Sequence, residues 1–308
     1  MDKNLLVRLI VADSSFLTLR EKLLFFKYLL DSIDSFESDS EFVDFINSLT
    51  VDSISFCVKR VFKRVKWNGT DALKKVTVAA RILHNFEISW TCYDSTDFPA
   101  MLRLIPDPPF MLFYRGNLEI LKRRCVSVVG TRRAAFSALK AASDFSKNAC
   151  DDGLCVVSGL AFGIDAASHK GALLSSNPAT CAVLPSGIDM ITPQTHTRLA
   201  VKILESGGLI LSEYLPGTPS VQFRYVQRNR IVAALSPVTL VVQAPAGSGA
   251  MITADLALGY NREVFFHSEC FSRSIPAKEG KADSSSPKSF VEDGAKVISN
   301  YEEFKKLI

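Results

Sequence analysis

No apolar run in this sequence approaches the roughly 18 residues that a membrane-spanning helix needs, so no membrane association is expected. Residues 5–12 are apolar but short, are broken by Arg8 and lead to no recognisable cleavage site, so a secretory leader is not expected either. The sequence has no CxxC pair. Its seven cysteines (Cys57, Cys92, Cys125, Cys150, Cys155, Cys181 and Cys270) are odd in number, and three of them sit in or beside apolar runs. They read as small core hydrophobes of a protein kept in a reducing cytoplasm. The four histidines are scattered without metal-ligand spacing, so no metal site is expected. A strong charge of one sign is lacking too: 36 Lys and Arg against 32 Asp and Glu leave a formal net charge of +4. Such mild basicity permits nucleic acid without demanding it, so any such binding has to come from a local groove. There is no internal repeat.

The 308 residues are 47% hydrophobic, enough for one large domain and a small one. Five short apolar runs each stop at a polar, mostly glycine-bearing turn. Residues 125–129 precede Gly130-Thr131-Arg132, and 154–157 precede Ser158-Gly159. Residues 181–184 precede Pro185-Ser186-Gly187, 209–211 precede Ser212-Glu213, and 238–242 precede Gly247-Ser248-Gly249. Helix-length stretches follow at about 134–150, 166–174, 194–205, 225–235 and 251–258. Apolar strands alternating with helices predict an α/β fold with a parallel sheet, its binding chemistry gathered at the carboxyl ends of the strands. Residues 263–267 read as a sixth strand, and 296–298 with 301–307 as a closing strand and helix. The Ser-, Lys- and Pro-rich stretch 268–289 is expected to be a mobile loop.

Residues 1–85 read as a small all-helical domain, and 86–308 as the α/β domain. Within the first, 21–30, 41–49, 54–67 and 70–84 have helical patterns, with Asn68-Gly69 separating the last two. The stretch 54–67 interleaves Phe56, Val58, Val61, Phe62 and Val65 with Lys59, Arg60, Lys63, Arg64 and Lys66. That basic stripe is either a solvated face or a contact for phosphates. The lead-in segment 86–120 is broken by Pro99, Pro106, Pro108 and Pro109, with a short strand at 111–114.

The strand exits carry the candidate chemistry. At the first, a turn entering a helix offers free N–H groups, to which Thr131 adds a hydroxyl and Arg132 a two-pronged phosphate donor. At the second, Gly159 and Gly163 bracket an apolar bulge; Asp165 is placed as an N-cap with His169 one turn on. The two form an acid–base pair or, on the plainer reading, a cap and a packing residue. Glu213 is expected to pair an arginine rather than an anion. Arg228 and Arg230 cannot share a helix face, so one is expected to face the strand ends and the other to brace a neighbouring loop, through Glu213. Tyr225 either stacks on a base or packs. Gly247-Ser248-Gly249 makes a nest of N–H groups before a helix, but no Gly-Lys-Ser/Thr follows it, and the first turn has no GxGxxG.

In chain order, VGTR (129–132), SGLAFGIDAASH (158–169), AVLPSGID (182–189), SEY (212–214), RNRIVAALS (228–236) and SGAMITA (248–254) resemble the DNA-processing protein DprA (Smf) family, over roughly residues 90–266. The resemblance implies an extended Rossmann-like domain that binds single-stranded DNA and has no catalytic role and no cofactor. It implies a cytoplasmic homodimer that protects incoming DNA and assists loading of the RecA recombinase in natural transformation, competence and DNA recombination. Gly130 and Arg132 fall on the family's DNA-contacting turn, and Tyr225 stands where the family usually has phenylalanine, three positions before Arg228. The DNA-binding candidates are therefore Gly130, Thr131, Arg132, Ser158, Gly159, Gly163, Gly187, Tyr225, Arg228, Asn229, Arg230, Gly247, Ser248, Gly249 and Thr253. Three departures stand out. Val226 replaces the usual proline, His267-Ser268-Glu269-Cys270 replaces a Pro-Gly segment, and with Ile308 as the last residue the winged-helix domain of many relatives is not expected.

Two other readings compete. A nucleotide phosphoribohydrolase of the lysine-decarboxylase-like type has a similar fold and a PGGxGTxxE loop. Residues 245–250 imitate that loop, but no glutamate follows at the matching position. The helical residues 1–85 form an interaction module on the third reading, for a dimer or another partner.

Overall fold

The computed structural model describes residues 2–272 and 286–308. Five helices come first: α1 (Lys3–Asp13), α2 (Leu19–Ile33), α3 (Asp39–Ser48), α4 (Val51–Val58) and α5 (Gly69–Asn85). Each starts on a polar cap whose side chain accepts a first-turn N–H, namely Asp2, Thr18, Ser38, Thr50 and Asn68. The helix read over 54–67 is corrected here. It begins at Val51 and stops at Lys59, which turns left-handed at φ 55° and donates its N–H to the Ser55 carbonyl. The chain then doubles back, bridging Thr50 to Asn68, and packs its aromatics singly, half-buried, against the core. Phe62 packs edge-on against Phe16 at 5.1 Å and Trp67 against Phe25 at 6.1 Å. The basic residues of 59–66 therefore do not form one helical stripe; Arg60 pairs with Glu21 at 2.9 Å.

The rest of the chain builds one sheet. The strands are β1 (Ser89–Cys92), β2 (Met111–Gly116), β3 (Cys125–Val129), β4 (Cys155–Ser158), β5 (Thr180–Val183), β6 (Leu209–Ser212), β7 (Val238–Val241), β8 (Glu263–His267) and β9 (Lys296–Ile298). Their helices are α6 (Ala100–Arg103), α7 (Phe136–Asp151), α8 (Ile164–Ala172), α9 (Thr197–Glu205), α10 (Gln222–Ala234), α11 (Gly249–Gly259), α12 (Pro287–Glu292) and α13 (Tyr301–Lys305). The sheet order is β1-β2-β6-β5-β4-β3-β7-β8-β9. The seven strands from β6 to β9 run parallel, while β1 and β2 add antiparallel at the β6 edge. This is the extended Rossmann-like α/β sheet preceded by helices. The lead-in holds β1 as well as the expected β2. The stretch 268–289 lies mostly outside the described residues, and its two ends are helical, at Ser268–Cys270 and from Pro287.

Strands β3 to β7 are buried along their whole length, which is why they read as unbroken apolar runs. Alternate residues feed opposite faces. Val126, Val128, Val156 and Leu240 meet α7, α8 and α13, while Cys125, Cys155, Cys181 and Val241 meet α10 and α11. All seven cysteines are free, and only Cys57 is less than fully buried. Cys125 lies beside Cys155 across the β3–β4 ladder, and Cys181 beside Val157.

The N-terminal helices share a core with one face of the β5–β6 region. Phe25, Phe42, Ile46 and Val76 belong to the same buried cluster as Ala182, Leu184, Ile203, Ile210 and Leu215. Arg8 pins this contact, pairing with Asp94 at 2.9 Å while its guanidinium lies 4.5 Å over Phe26.

The chain leaves β3 toward β4, β5 and β6 on one side and reaches β7, β8 and β9 on the other. The reversal falls between β3 and β7, and in open α/β sheets a crevice for ligands opens outside the carboxyl ends at that point. Phe145 anchors α7 beneath it, fully buried against Tyr301 at 5.4 Å and Phe304 at 5.1 Å. Phe145→Ala is expected to cost about 3–5 kcal/mol, measured as a shift in urea unfolding; a loss below about 1 kcal/mol would mean that α7 is not held by this cluster.

Candidate functional site

A cleft of about 820 Å³ opens at that crevice. Its walls are the turn after β3 (Gly130 to Arg133), the loop after β4 (Gly159 and Ala161), α10 (Tyr225, Arg228 and Asn229) and the start of α11 (Ser248, Gly249 and Thr253).

The β3 turn is fixed by β7. Thr131 donates its N–H to the Gln243 carbonyl at 2.7 Å, and Ala135 donates to Gln243 Oε1 at 2.9 Å. The β4 loop is fixed in turn by close approach. Gly163 has φ 75°, and a Cβ there would lie 2.2 Å from the Thr131 carbonyl oxygen. A Cβ on Gly159 would lie 2.5 Å from Arg228 Nη1. Glycine at both positions is thus a demand of packing.

Arg228 is buried, although its guanidinium helps line the cleft floor. It donates to the Gly159 carbonyl at 2.6 Å and to the Val183 carbonyl, and its Nε donates to Asn229 Oδ1 at 3.2 Å. Burial pulls this guanidinium below its ordinary pKa, and the Asp165 charge opposes that pull. Asp165 is not the N-cap of α8, which starts from Gly163 with no side-chain cap. Its Oδ2 instead accepts from the N–H groups of Gly159, at 3.1 Å, and Ala161, at 3.4 Å, holding the loop closed. Burial raises the Asp165 carboxyl while Arg228, those two N–H groups and Arg132 pull it down.

His169 takes the packing role. Thr180 Oγ1 donates to the Val156 carbonyl at 2.8 Å, so at 2.7 Å from His169 it accepts, and Nδ1 carries the proton. Nε2 is buried without a partner among the described residues. Burial drives the imidazole pKa down to about 3, so the ring is neutral at ordinary pH and is not half of an acid–base pair.

Arg132 is different from Arg228: it is exposed, with its guanidinium carbon 5.0 Å from the centroid of Tyr225. Among the described residues it has no carboxylate within ion-pair distance. The ring covers one face of a planar cation whose in-plane N–H groups stay available for an anion. Arg133 lies beside it on the cleft wall, also exposed. Helices α7 and α10 start from Ala135 and Val221 with no side-chain cap; the α10 start, at Val221 and Gln222, lines the cleft, while Phe136 at the α7 start lines a neighbouring hollow.

The structure brings together ten of the residues predicted from sequence: Gly130, Thr131, Arg132, Gly159, Tyr225, Arg228, Asn229, Ser248, Gly249 and Thr253. It does not bring five others to this cleft. Ser158 donates its hydroxyl to the Val128 carbonyl inside the sheet at 2.7 Å. Gly187 donates its N–H to the Thr218 carbonyl at 2.7 Å. Gly247 supplies the positive-φ turn (61°) ahead of the wall. Gly163 lines a neighbouring hollow. Arg230 turns away to the Glu213 carboxylate and donates to the Asp107 carbonyl at 2.7 Å. Burial raises the Glu213 carboxyl, opposed by Arg230 and by Lys22 of α2, whose own ammonium is lowered by burial to about 8. Within the cleft, some polar groups are spent on the fold: Ser248 caps α11, and Thr253 Oγ1 donates back to Gly249 O at 3.0 Å. Sequence reading missed Arg133, Gln243 and the rim at Ser220 to Gln222. Arg133 was findable as the second arginine of its turn; the rim lies in a loop with no motif.

A model of the DNA recombination-mediator protein A family matches residues 89–308. The DNA processing protein DprA of Bacillus subtilis is 34% identical over 215 residues, 69% of this chain and 69% of its own. The chain spans about half to two thirds of the length of the Smf proteins it matches. Among solved structures, DprA from Streptococcus pneumoniae has a TM-score of 0.67 at 27% identity, covering 95% of this chain and 94% of its own. DprA from Helicobacter pylori, solved for its single-stranded DNA binding mode, has a TM-score of 0.58 at 27% identity, covering 70% and 94%.

Two outcomes follow from the buried charges. Arg230→Ala strands Glu213 and is expected to lose about 3–5 kcal/mol in urea unfolding; a neutral result would mean that the carboxylate is already satisfied without its arginine. The His169 pKa is about 6.5 unfolded and about 3 folded, so the group's contribution is complete above 6.5 and is lost as pH falls toward 3. Stability should decline by at most about 1.4 kcal/mol per pH unit from this group. His169→Asn should flatten the fall between about pH 7 and pH 5; parallel curves for parent and variant would show that the imidazole is not held neutral.

Proposed function

This chain belongs to the DNA recombination-mediator protein A family, and on that premise we propose that it binds single-stranded DNA in the cleft between β3 and β7 and catalyses no reaction on it. The observation that carries this reading is the Arg132 guanidinium lying over Tyr225 at 5.0 Å, open to the cleft and without a carboxylate partner among the described residues. A cation takes the phosphate and an aromatic face takes the base, the pairing used where single strands are held without regard to sequence. The buried Arg228 adds positive charge beneath the floor, and the uncapped start of α10 adds N–H donors at the rim.

In the cell this binding would protect incoming single strands in the cytoplasm and assist their loading with the RecA recombinase during DNA uptake and recombination, with the protein acting as a homodimer. These roles rest on family membership and on the resemblance of the ordered motifs. The binding candidates outside the main cleft, Ser158, Gly163, Gly187, Gly247 and Arg230, would serve it by shaping the walls.

The phosphoribohydrolase reading is weaker. Asp165 and His169 are committed to loop closure and packing, and Thr253 to its own helix. Release of free base from a nucleoside monophosphate would replace the binding reading with the enzymatic one.

Because phosphate contacts dominate such binding, affinity should fall steeply with salt. Arg132→Ala should weaken binding of unstructured DNA far more than Lys59→Ala does and lower the salt slope by about 1. A filter-binding titration that finds parent and both variants equal would remove the assignment.

A further inference from the structure

A second hollow, of about 640 Å³, adjoins the cleft. It lies between the N-terminal halves of α7 and α8, and its far wall is His196. Arg132 and Arg133 line both spaces and form the rim between them. The loop after β4 is continuous across that rim, with Ala161 facing the first space and Phe162 the second.

The hollow combines cations with open aromatic rings. Phe136, the first residue of α7, is 83% exposed, and Phe162 is 47% exposed. Neither degree of exposure is what core packing would leave for phenylalanine. Phe162 is not loose, however. It packs edge-on against His196 at 4.8 Å, and His196 donates from Nδ1 to the Leu160 carbonyl at 2.8 Å, so the ring is held in place while much of it stays exposed. Around the rings stand Arg132, Arg133, Lys140 and Lys170, against the single carboxylate of Asp144, which already pairs with Lys140. Small residues of α7 and α8, Ser143, Ala166 and Ala167, leave the floor open between the charges.

We propose that this hollow is a second nucleotide-binding subsite, into which a single DNA strand leaving the main cleft crosses the Arg132–Arg133 rim and stacks its bases on Phe162 and Phe136. Lys170 and the two rim arginines neutralise the phosphates on the way. Continuity with the first cleft and the excess of cations select a polyanion with flat, stackable groups, and both properties belong to single-stranded DNA. The inference rests on the reading of the main cleft as the first DNA site.

The test uses the full chain and oligothymidylates of about 5 and about 20 nucleotides, a contrast chosen because single-strand sites span several nucleotides each. Fluorescence anisotropy is read at one salt concentration for the parent, Phe136→Ala/Phe162→Ala, Phe136→Tyr/Phe162→Tyr and Phe223→Ala. Phe223 is an exposed phenylalanine that lines neither space. The double alanine variant should lose about 5- to 100-fold in affinity for the long strand and change the short one by no more than about twofold. The tyrosine pair and Phe223→Ala should match the parent on both. Equal loss on both lengths, or no loss on either, overturns the second subsite. A short strand that binds through Arg132 while the long strand gains nothing removes this inference alone. If the parent binds neither strand, the reading of the main cleft falls and takes this one with it.

Discussion

Everything at the carboxyl edge of the sheet depends on one buried guanidinium. Arg228 reaches from α10 under the cleft and ties together the exits of β4 and β5 through the carbonyls of Gly159 and Val183. A charge so placed is costly to bury unless its donors are all engaged. The engagement is what orders the loops: Gly159 has no side chain because the guanidinium occupies that space, and Asp165 balances the charge while gathering two loop N–H groups. The β4 loop in turn meets the β3 turn at Gly163, which presents Arg132 to solvent. An internal arginine thereby sets the position of an external one.

This arrangement separates the arginines of the region by their partners. Arg230 is consumed by Glu213 and Asp107, Arg228 by carbonyls and Asn229, while Arg132 lies over a tyrosine ring with no carboxylate partner among the described residues. Residues 228 and 230 point apart because a helix turns them about 200° from one another. Nearness in sequence is thus a poor guide to nearness in role. Three arginines within one strand-end region have three electrostatic tasks: clamping loops, neutralising an inward carboxylate, and facing the solvent.

The sheet was legible because both of its faces are covered. Runs such as 125–129 and 181–184 have no polar side to disguise them, and the glycine turns mark where each strand stops. Strand β1 escaped notice because Ser89, Trp90, Thr91 and Cys92 make a short edge strand with mixed burial. The helix read at 54–67 failed for a different reason. Phe62 and Trp67 do pack against the core, but from a doubled-back segment that leaves Phe56 and Val61 exposed, and a left-handed lysine at position 59 carries no sequence mark. At the site, glycines and arginines were visible as types. The division of the hydroxyls between fold and cleft was not, since Ser158 and Thr253 reveal their acceptors only in three dimensions. The second hollow was invisible for the same reason: Phe136 and Phe162 lie 26 positions apart and line one space only in the folded chain.

The thiols threaded through the sheet have a consequence of their own. Burial pushes Cys92 and Cys150 up to about 11 and Cys270 up to about 12, and Cys155 and Cys181 are raised as well, so none of these presents the nucleophilic thiolate while the strands stay together. Only Cys57, half-buried on α4, is within reach of an alkylating reagent in the intact fold. The molecule therefore carries its own clock: one sulfur that a reagent can reach in the folded state, and six buried ones whose capture times the opening of the sheet around them.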